Sequence, residues 1–327
     1  MKLFKNIYKN KTVIVTGHTG FKGSWLSLWL VMMGARVVGI SKDIPSKPSH
    51  FEVINLKKKI EHINSDICNY KKLSSLFKKY KPDFVFHLAA QSLVKKSYLD
   101  PLKTWNTNTI GTLNVLESLK LIKKKTFVVI ITSDKSYKNV EISRGYREED
   151  LLGGKDPYSA SKGAAEFVIQ SYINSFFSHK KNNTFIAVAR AGNVIGGGDW
   201  SEDRIIPDCA KSYSKNQMVI IRNPMSTRPW QHVLDVIYGY LTLGSKLYKN
   251  KNLHGETFNF GPGKQANYKV IYLLEEFKKY WPNFKWKIKG NKNNFFEAKL
   301  LKLNSEKAKN KLNWKSKLGI KETSKMV

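Results

Sequence analysis

Tyr158 and Lys162 stand four residues apart in Tyr158-Ser159-Ala160-Ser161-Lys162. In a helix that spacing puts both side chains on one face. A tyrosine works as a base only as the phenolate, and its free pKa is about 10. A neighbouring ammonium favours the phenolate and can also bond a ribose hydroxyl. The pair follows the turn-forming stretch Gly153-Gly154-Lys155-Asp156-Pro157, so it should open a helix. Ser133-Asp134-Lys135 closes an apolar run over residues 126–132. At the carboxyl end of a strand, Ser133 can orient a substrate alcohol against Tyr158, and Asp134 and Lys135 add acid and base capacity. The bland alternative for Ser133 is the cap of a turn beginning at Asp134.

A second constellation suits phosphate. Gly17-His18-Thr19-Gly20-Phe21-Lys22-Gly23 follows the apolar Val13-Ile14-Val15 and precedes an apolar helix pattern. Gly17 permits a tight turn, Gly20 a close approach of backbone to a pyrophosphate, and Gly23 close packing of helix on sheet. Free N–H groups at the helix start attract the phosphates. Thr19 and Phe21 complete the candidate cofactor loop, while His18 and Lys22 read as exposed loop residues. An acidic residue ending the second strand would bind the adenosine ribose of NAD. That point reads Ile40-Ser41-Lys42-Asp43, with Asp43 late and Lys42 able to accommodate a 2′-phosphate, so these residues leave NAD and NADP open. Asp66, followed by Ile67, is better placed for the adenosine end, with a strand-end or N-cap role as its alternative.

These groups need a sheet to carry them. Strand patterns at residues 12–16, 36–40, 60–63, 83–88, 126–132 and 185–190 alternate with helix patterns near 21–33, 70–80, 102–121 and 158–177. The alternation predicts an α/β fold, a Rossmann-type doubly wound parallel sheet. Residues 1–191 would form the dinucleotide-binding domain with Tyr158 and Lys162. Residues 192–327, where the pattern loosens, would mainly bind substrate, with some elements returning to the sheet. There is no internal repeat. The chain ends at Lys325-Met326-Val327, just inside a helix start after Leu318-Gly319-Ile320, as an incomplete tail would.

The 327 residues are 41% hydrophobic, enough for a sizeable core. The longest apolar candidate, residues 25–33, is too short to span a bilayer. The first apolar stretch runs directly into the glycine loop, which argues against a signal peptide. Two cysteines, Cys68 and Cys209, without metal-ligand spacing fit a reducing cytoplasm and predict no metal. The formal charge of +32 raises nucleic-acid binding. The lysines are dispersed, as in Lys57 to Lys59, Lys78-Lys79 and Lys123 to Lys125, and no nucleic-acid motif accompanies them, so solvated lysines are the favoured explanation and no nucleic-acid partner is expected.

The glycine loop, Asp66-Ile67, His87-Leu88-Ala89-Ala90, Asn108 and Tyr158/Lys162 in this order resemble an extended short-chain dehydrogenase/reductase. Gly17 to Leu26, Ala90-Gln91-Ser92-Leu93-Val94, Ser133-Asp134-Lys135-Ser136-Tyr137 and Gly145-Tyr146-Arg147-Glu148 resemble the CDP-glucose 4,6-dehydratases. So do Arg190-Ala191-Gly192-Asn193-Val194-Ile195-Gly196-Gly197-Gly198-Asp199-Trp200 and Arg228-Pro229-Trp230-Gln231-His232-Val233; the likeness spans nearly the whole chain and weakens past about residue 265.

The resemblance implies conversion of CDP-D-glucose to CDP-4-dehydro-6-deoxy-D-glucose in deoxysugar (O-antigen or lipopolysaccharide) biosynthesis, with NAD as a recycled oxidant. It implies that Tyr158 takes the C4 hydroxyl proton, aided by Ser133 and Lys162, and that Asp134 protonates the departing C6 oxygen. Lys135 stands where related dTDP-glucose dehydratases carry the glutamate that removes the C5 proton; as a base it must be neutral. Leu88, Ala89, Ala90 and Asn108 would line the cofactor site. Gln91, Ser92, Asn193 and Arg228 would face the sugar nucleotide, while Arg190 braces the end of the sixth strand. Arg204 and Arg222 flank the same region and are open between nucleotide and solvent. His232 and Asp235 read as structural partners below Trp230. The family implies a homodimer or higher oligomer built on helices over residues 102–121 and 158–177. A 4-epimerase or another nucleotide-sugar dehydratase is the nearest rival, disfavoured by Asp134-Lys135. A dinucleotide sensor is the non-enzymatic rival, disfavoured by the intact Tyr158 and Lys162.

Overall fold

In a computed structural model, residues 3–179, 182–263, 268–289 and 300–327 are described. In chain order the first elements are β1 (Thr12–Thr16), α1 (Phe21–Met32), β2 (Arg36–Ser41), the single turn α2 (His50–Val53), β3 (Glu61–Asn64), α3 (Tyr70–Tyr80) and β4 (Phe84–His87). There follow α4 (Val94–Leu99), α5 (Pro101–Trp105), α6 (Gly111–Lys120), β5 (Thr126–Ile131), α7 (Pro157–Tyr172), β6 (Thr184–Ala191), β7 (Val194–Ile195), α8 (Ile205–Ser214) and β8 (Val219–Ile221). The chain closes with β9 (Thr227–Arg228), β10 (Gln231–His232), α9 (Val233–Lys249), β11 (Thr257–Phe260), β12 (Tyr268–Lys269), α10 (Val270–Lys278), β13 (Trp286–Ile288), α11 (Glu306–Leu312) and α12 (Ile320–Lys325).

Seven strands form one sheet in the order β11-β6-β5-β4-β1-β2-β3, and every pairing in it is parallel. The expected α/β doubly wound sheet is therefore present. Successive residues of a strand point to opposite faces. Val13 and Val15 pack with Leu26 and Leu30 of α1, Val236 and Tyr240 of α9 and Leu312 of α11. Ile14 packs on the other side with Leu73 and Phe77 of α3, Val115 of α6 and Ile169 of α7. A smaller core joins Ile206 and Cys209 of α8, Val219, Trp230, and Leu273 and Phe277 of α10. No helix among the described residues is long and apolar enough to cross a membrane.

The expected helix over residues 102–121 is instead two helices joined by a widened π turn at Asn106–Ile110. Asp100 caps α5 by accepting from the Lys103 N–H, with Pro101 at the first helical position. A π turn is a common place for a functional or buried polar side chain, and this one carries Asn108. The helix over residues 158–177 likewise ends in a π turn, Ile173–Phe177.

Candidate active site

A groove of about 910 Å³ crosses the carboxyl ends of β1, β2, β4, β5 and β6 and is closed from the far side by residues 192–228. Open parallel sheets bind ligands at this edge. Gly17, Thr19, Gly20, Phe21 and Gly23 line one end, with Asp66, Ile67, Leu88, Ala89 and Ala90 beside them. Ser133, Asp134, Lys135, Tyr158 and Lys162 lie in the middle, and Gln91, Ser92, Asn193, Arg204, Arg222 and Arg228 toward the other end.

The glycine loop is tightly built. Gly17 has φ +76°, and a Cβ there would fall 2.7 Å from the Ala89 nitrogen. A Cβ on Gly23 would fall 2.1 Å from the Gly17 carbonyl oxygen. Helix α1 has Gly20 as its N-cap, with no side-chain cap. Such a turn followed by uncapped N–H groups fits the pyrophosphate of a dinucleotide. At the adenosine end, Asp66 accepts from the Cys68 N–H and pairs with Lys42 at 3.5 Å, so the ammonium considered for a 2′-phosphate is neutralised in part by Asp66. Asp43 offers its backbone carbonyl to the Thr19 hydroxyl at 2.6 Å.

Two residues of this loop differ from expectation. His18 is buried, not exposed: its ring packs where Gly39 of β2 leaves room and hydrogen bonds to His62 at 2.7 Å and Ser41 at 3.0 Å. Burial, reinforced by His62, pushes its pKa down to about 3. Lys22 is not a free loop cation either. Its side chain enters the groove, with Nζ 6.0 Å from the centre of the Tyr240 ring. Burial and then the charges of Arg204 and Lys162 push it down to about 8, with Asp134 and Asp199 opposing.

Tyr158, Lys162, Ser133 and Asp134 are all buried at the centre. Asp156 caps α7 by accepting from the Ser159 N–H, with Pro157 at the first helical position, and this start fixes Tyr158 and Lys162 on the inner face. Lys162 donates to the Ile131 carbonyl at 3.2 Å, and burial pushes its pKa down to about 8. Burial raises Tyr158, and the nearby Ser133 hydroxyl works the other way. The expected lowering of Tyr158 by Lys162 is not what dominates here, because desolvation of the phenolate outweighs it. Ser133 caps the turn at Asp134 by accepting from the Lys135 N–H, and also donates to Asp134 Oδ1 at 3.1 Å. The capping role considered for this serine is therefore present. Burial raises the Asp134 carboxyl, with the Lys135 charge pulling the other way. Asp134 is thus the candidate proton donor of the site and Tyr158 the candidate acceptor.

Asn108 does not reach the groove wall. It accepts from the Gln91 N–H and donates to the Gln91 carbonyl and Ser161 hydroxyl, tying the loop after β4 to α7. The Gln91 amide is spent on Leu93 and Thr104, so it too acts locally. Arg204 binds Asp199 at 3.0 Å. Arg190 braces the end of β6 as expected, through Glu166 and the Glu148 carbonyl. His232 caps α9, and Asp235 accepts from Ser316, Lys317 and Leu318, as structural partners would.

The family described as GDP-mannose 4,6 dehydratase matches residues 14–327. The CDP-glucose 4,6-dehydratase of Salmonella typhimurium strain LT2 is 46% identical over 323 residues, 98% of this chain and 90% of that protein. The chain belongs to the CDP-glucose 4,6-dehydratase family. It is thereby a member of the extended short-chain dehydrogenase/reductases. Among solved structures, an epimerase of Methanothermobacter thermautotrophicus has TM-score 0.85 at 25% identity, covering 98% of this chain and 92% of that one. The dTDP-glucose 4,6-dehydratase of Bacillus anthracis in complex with NAD has TM-score 0.79 at 20% identity, covering 97% and 96%, a likeness of fold.

In this member of the dehydratase family, three polar groups at the site escape sequence reasoning. Glu166 of α7 grips Arg190 at 2.6 Å and accepts from Thr132 and Ser136, so one buried carboxylate ties β5, the Asp134 turn, α7 and β6 together. Tyr240 of α9 has a buried hydroxyl close enough to feel Tyr158 and Asp134. Lys22 is the third. A lone glutamate or tyrosine inside a helix carries no sequence signal of its own; only the unusual lysine inside the glycine loop does.

Proposed function

We propose that the protein is a CDP-glucose 4,6-dehydratase, eliminating water from CDP-D-glucose to give CDP-4-dehydro-6-deoxy-D-glucose. The observation that carries this is the buried Ser133-Asp134-Tyr158-Lys162 cluster facing the glycine loop across one groove, in a chain 46% identical to a CDP-glucose 4,6-dehydratase nearly end to end. Tyr158 takes the C4 hydroxyl proton, with Ser133 orienting that hydroxyl. Loss of hydride from C4 makes a ketone, which acidifies the C5 hydrogen. Lys135, in its neutral form, removes that hydrogen as a proton and later returns it. Asp134, whose carboxyl burial raises, gives a proton to the C6 oxygen, which leaves as water. An epimerase needs no acid at C6, so Asp134 beside Ser133 favours dehydration.

The cofactor is NAD, which when bound accepts the hydride from C4 and gives it back at C6, so there is no net oxidation. Gly17, Thr19, Gly20, Phe21 and Gly23 hold its pyrophosphate region, Asp66 and Ile67 its adenosine end, and Leu88, Ala89 and Ala90 flank the path to Lys162. Asn108 supports that wall from behind. Residues 1–191 serve the cofactor and the chemistry; residues 192–327 mainly serve the sugar nucleotide, with Asn193, Arg204, Arg222 and Arg228 toward its nucleotide and phosphates. Ser92 lies beside Arg204. A second copy of the chain covers the apolar face of α5 and α7, where Leu102, Trp105 and Phe167 are exposed. A reducing, cytoplasmic setting suits the two free cysteines, and no nucleic acid is required. Incubation with CDP-, dTDP-, GDP- and UDP-glucose tests the assignment. A 4-keto-6-deoxy product from CDP-glucose is expected, and preferential turnover of dTDP-glucose would remove it.

A further inference from the structure

We infer that Asp208 of α8 reads the base of the nucleotide: its carboxylate accepts from the exocyclic amine of cytosine and so sets CDP-sugars apart from UDP- and dTDP-sugars. This rests on the dehydratase reading proposed above and names the residue behind its choice of base.

Helix α8 turns one side to the groove. Arg204 at its N-cap, then Asp208 and Lys211, stand at spacings of four and three, so they follow one another along one side of the helix, and all three line the groove. The two cations are tied back to the preceding loop. Arg204 binds Asp199 at 3.0 Å, and Lys211 donates to the Trp200 carbonyl at 3.1 Å. Asp208 stands between them, half-buried, and its carboxylate makes no hydrogen bond or ion pair among the described residues. The neighbouring acids differ from it: Asp203 is exposed and pairs with Lys95 at 3.2 Å, and Glu202 is exposed. A half-buried carboxylate with its lone pairs unspent, facing a binding groove, is suited to accept from a ligand donor.

The chemistry of that donor follows from the surroundings. Ile206, Val219, Ile221, Trp230 and Val270 are buried in one small core and also line the groove. An apolar wall with a few placed polar groups suits a flat heterocycle, the polar groups fixing its orientation and identity. The diphosphate does not suit Asp208, because like charges repel, whereas Arg204, Arg222 and Arg228 lie in the same groove to meet it. What remains is the edge of the base. Cytosine carries an amino donor at C4, where thymine and uracil carry a carbonyl acceptor. An ionised carboxylate only accepts, so cytosine gains a hydrogen bond there, while thymine and uracil set acceptor against acceptor. Burial pushes the Asp208 carboxyl up to about 6, with Lys211 pulling the other way, so it is ionised at neutral pH. A site built to hydrogen-bond one group rejects strongly an analogue that lacks it, because the buried protein group is then left unpaired.

The test is calorimetric titration of the NAD-loaded full chain with CMP and with UMP at pH 7.5, since the two differ only in the base edge. The wild type should bind CMP about tenfold or more tighter than UMP, in line with the discrimination a base-edge contact gives. Asp208→Asn keeps the shape but adds an N–H that can donate to the uracil carbonyl, so the ratio should fall toward one, with weaker CMP and tighter UMP. Asp208→Ala should weaken CMP without improving UMP. A wild type that binds the two nucleotides equally, or UMP better, overturns the inference without any variant. So does an Asp208→Asn chain that keeps the wild-type ratio, or one that loses both nucleotides by the same factor, which would give Asp208 a structural role alone. Binding is read without turnover, so failure of the wild type to form a 4-keto-6-deoxy product from CDP-glucose is a separate result, and counts against the dehydratase assignment itself.

Discussion

Tyr158 is the proposed base for the C4 hydroxyl, and its hydroxyl lies buried at the centre of the site. Tyr158→Phe keeps the ring and removes only the acid–base group. General acid–base groups contribute about 10²–10⁴-fold, so kcat should fall by that range while CDP-glucose still binds with little change, as calorimetric titration would report. Lys162 makes a second prediction, on stability. Burial lowers its pKa to about 8, against 10.5 for a free lysine. Between those values the unfolded chain holds more protons than the folded one, so this group makes stability rise with pH across that window, and its charge burdens the fold most below about 8. Lys162→Met abolishes the term. The stability of the variant relative to wild type should then decline by up to about 1.4 kcal/mol per pH unit from pH 8 toward 10.5. Denaturant titrations at a series of pH values measure it; a flat difference would mean that folding leaves the Lys162 pKa unshifted, with the ammonium still charged in the folded state above pH 8.

At the scale of elements, the glycine loop and the buried carboxylate of α7 do the positioning. Gly23→Ala would put a methyl 2.1 Å from the Gly17 carbonyl, so α1 must shift off the loop. The expected result is a tenfold or larger loss of dinucleotide affinity with the circular dichroism spectrum retained. Glu166 is the opposite case, a residue whose loss should be felt in the fold. Removing one partner of a buried ion pair typically costs about 3–5 kcal/mol, so Glu166→Ala should lower the unfolding free energy by about that much in urea titration. The two elements also differ in how legible they are. A strand, spaced glycines and a helix are local, and a tyrosine and lysine one turn apart after a Gly/Pro loop are local too, so both could be placed from the chain alone. The Glu166–Arg190 pair joins residues from two elements, and no period or spacing announces it. A loop position predicts exposure for His18; its burial depends on Gly39, a small residue on the neighbouring strand that makes room for the ring. The resemblance groups Asn108 with the cofactor residues, but the π turn that carries it aims its amide at Gln91 and Ser161.

On the whole molecule two long-range features oppose each other, and the opposition gives a test of assembly. Each chain carries a formal charge of +32, so two copies repel at a distance. Yet Leu102 is 84% and Phe167 58% exposed, and Trp105 and Ile110 add to the same side of the molecule. Apolar side chains at that exposure on adjacent packed helices gain by being covered. If a second copy covers them, association should tighten as salt rises from about 0.05 to 0.3 M, because screening removes the repulsion while the apolar contact is unaffected. Binding to nucleic acid would weaken over the same range, since it depends on counterion release. Sedimentation velocity at several salt concentrations separates the two. Leu102→Glu and Phe167→Glu sit at the centre of the proposed contact, where a residue can carry about 2 kcal/mol or more. Each should therefore raise the dissociation constant about thirtyfold or more and shift the chain toward monomer. A dimer that persists unchanged in both variants would have to be built on another face.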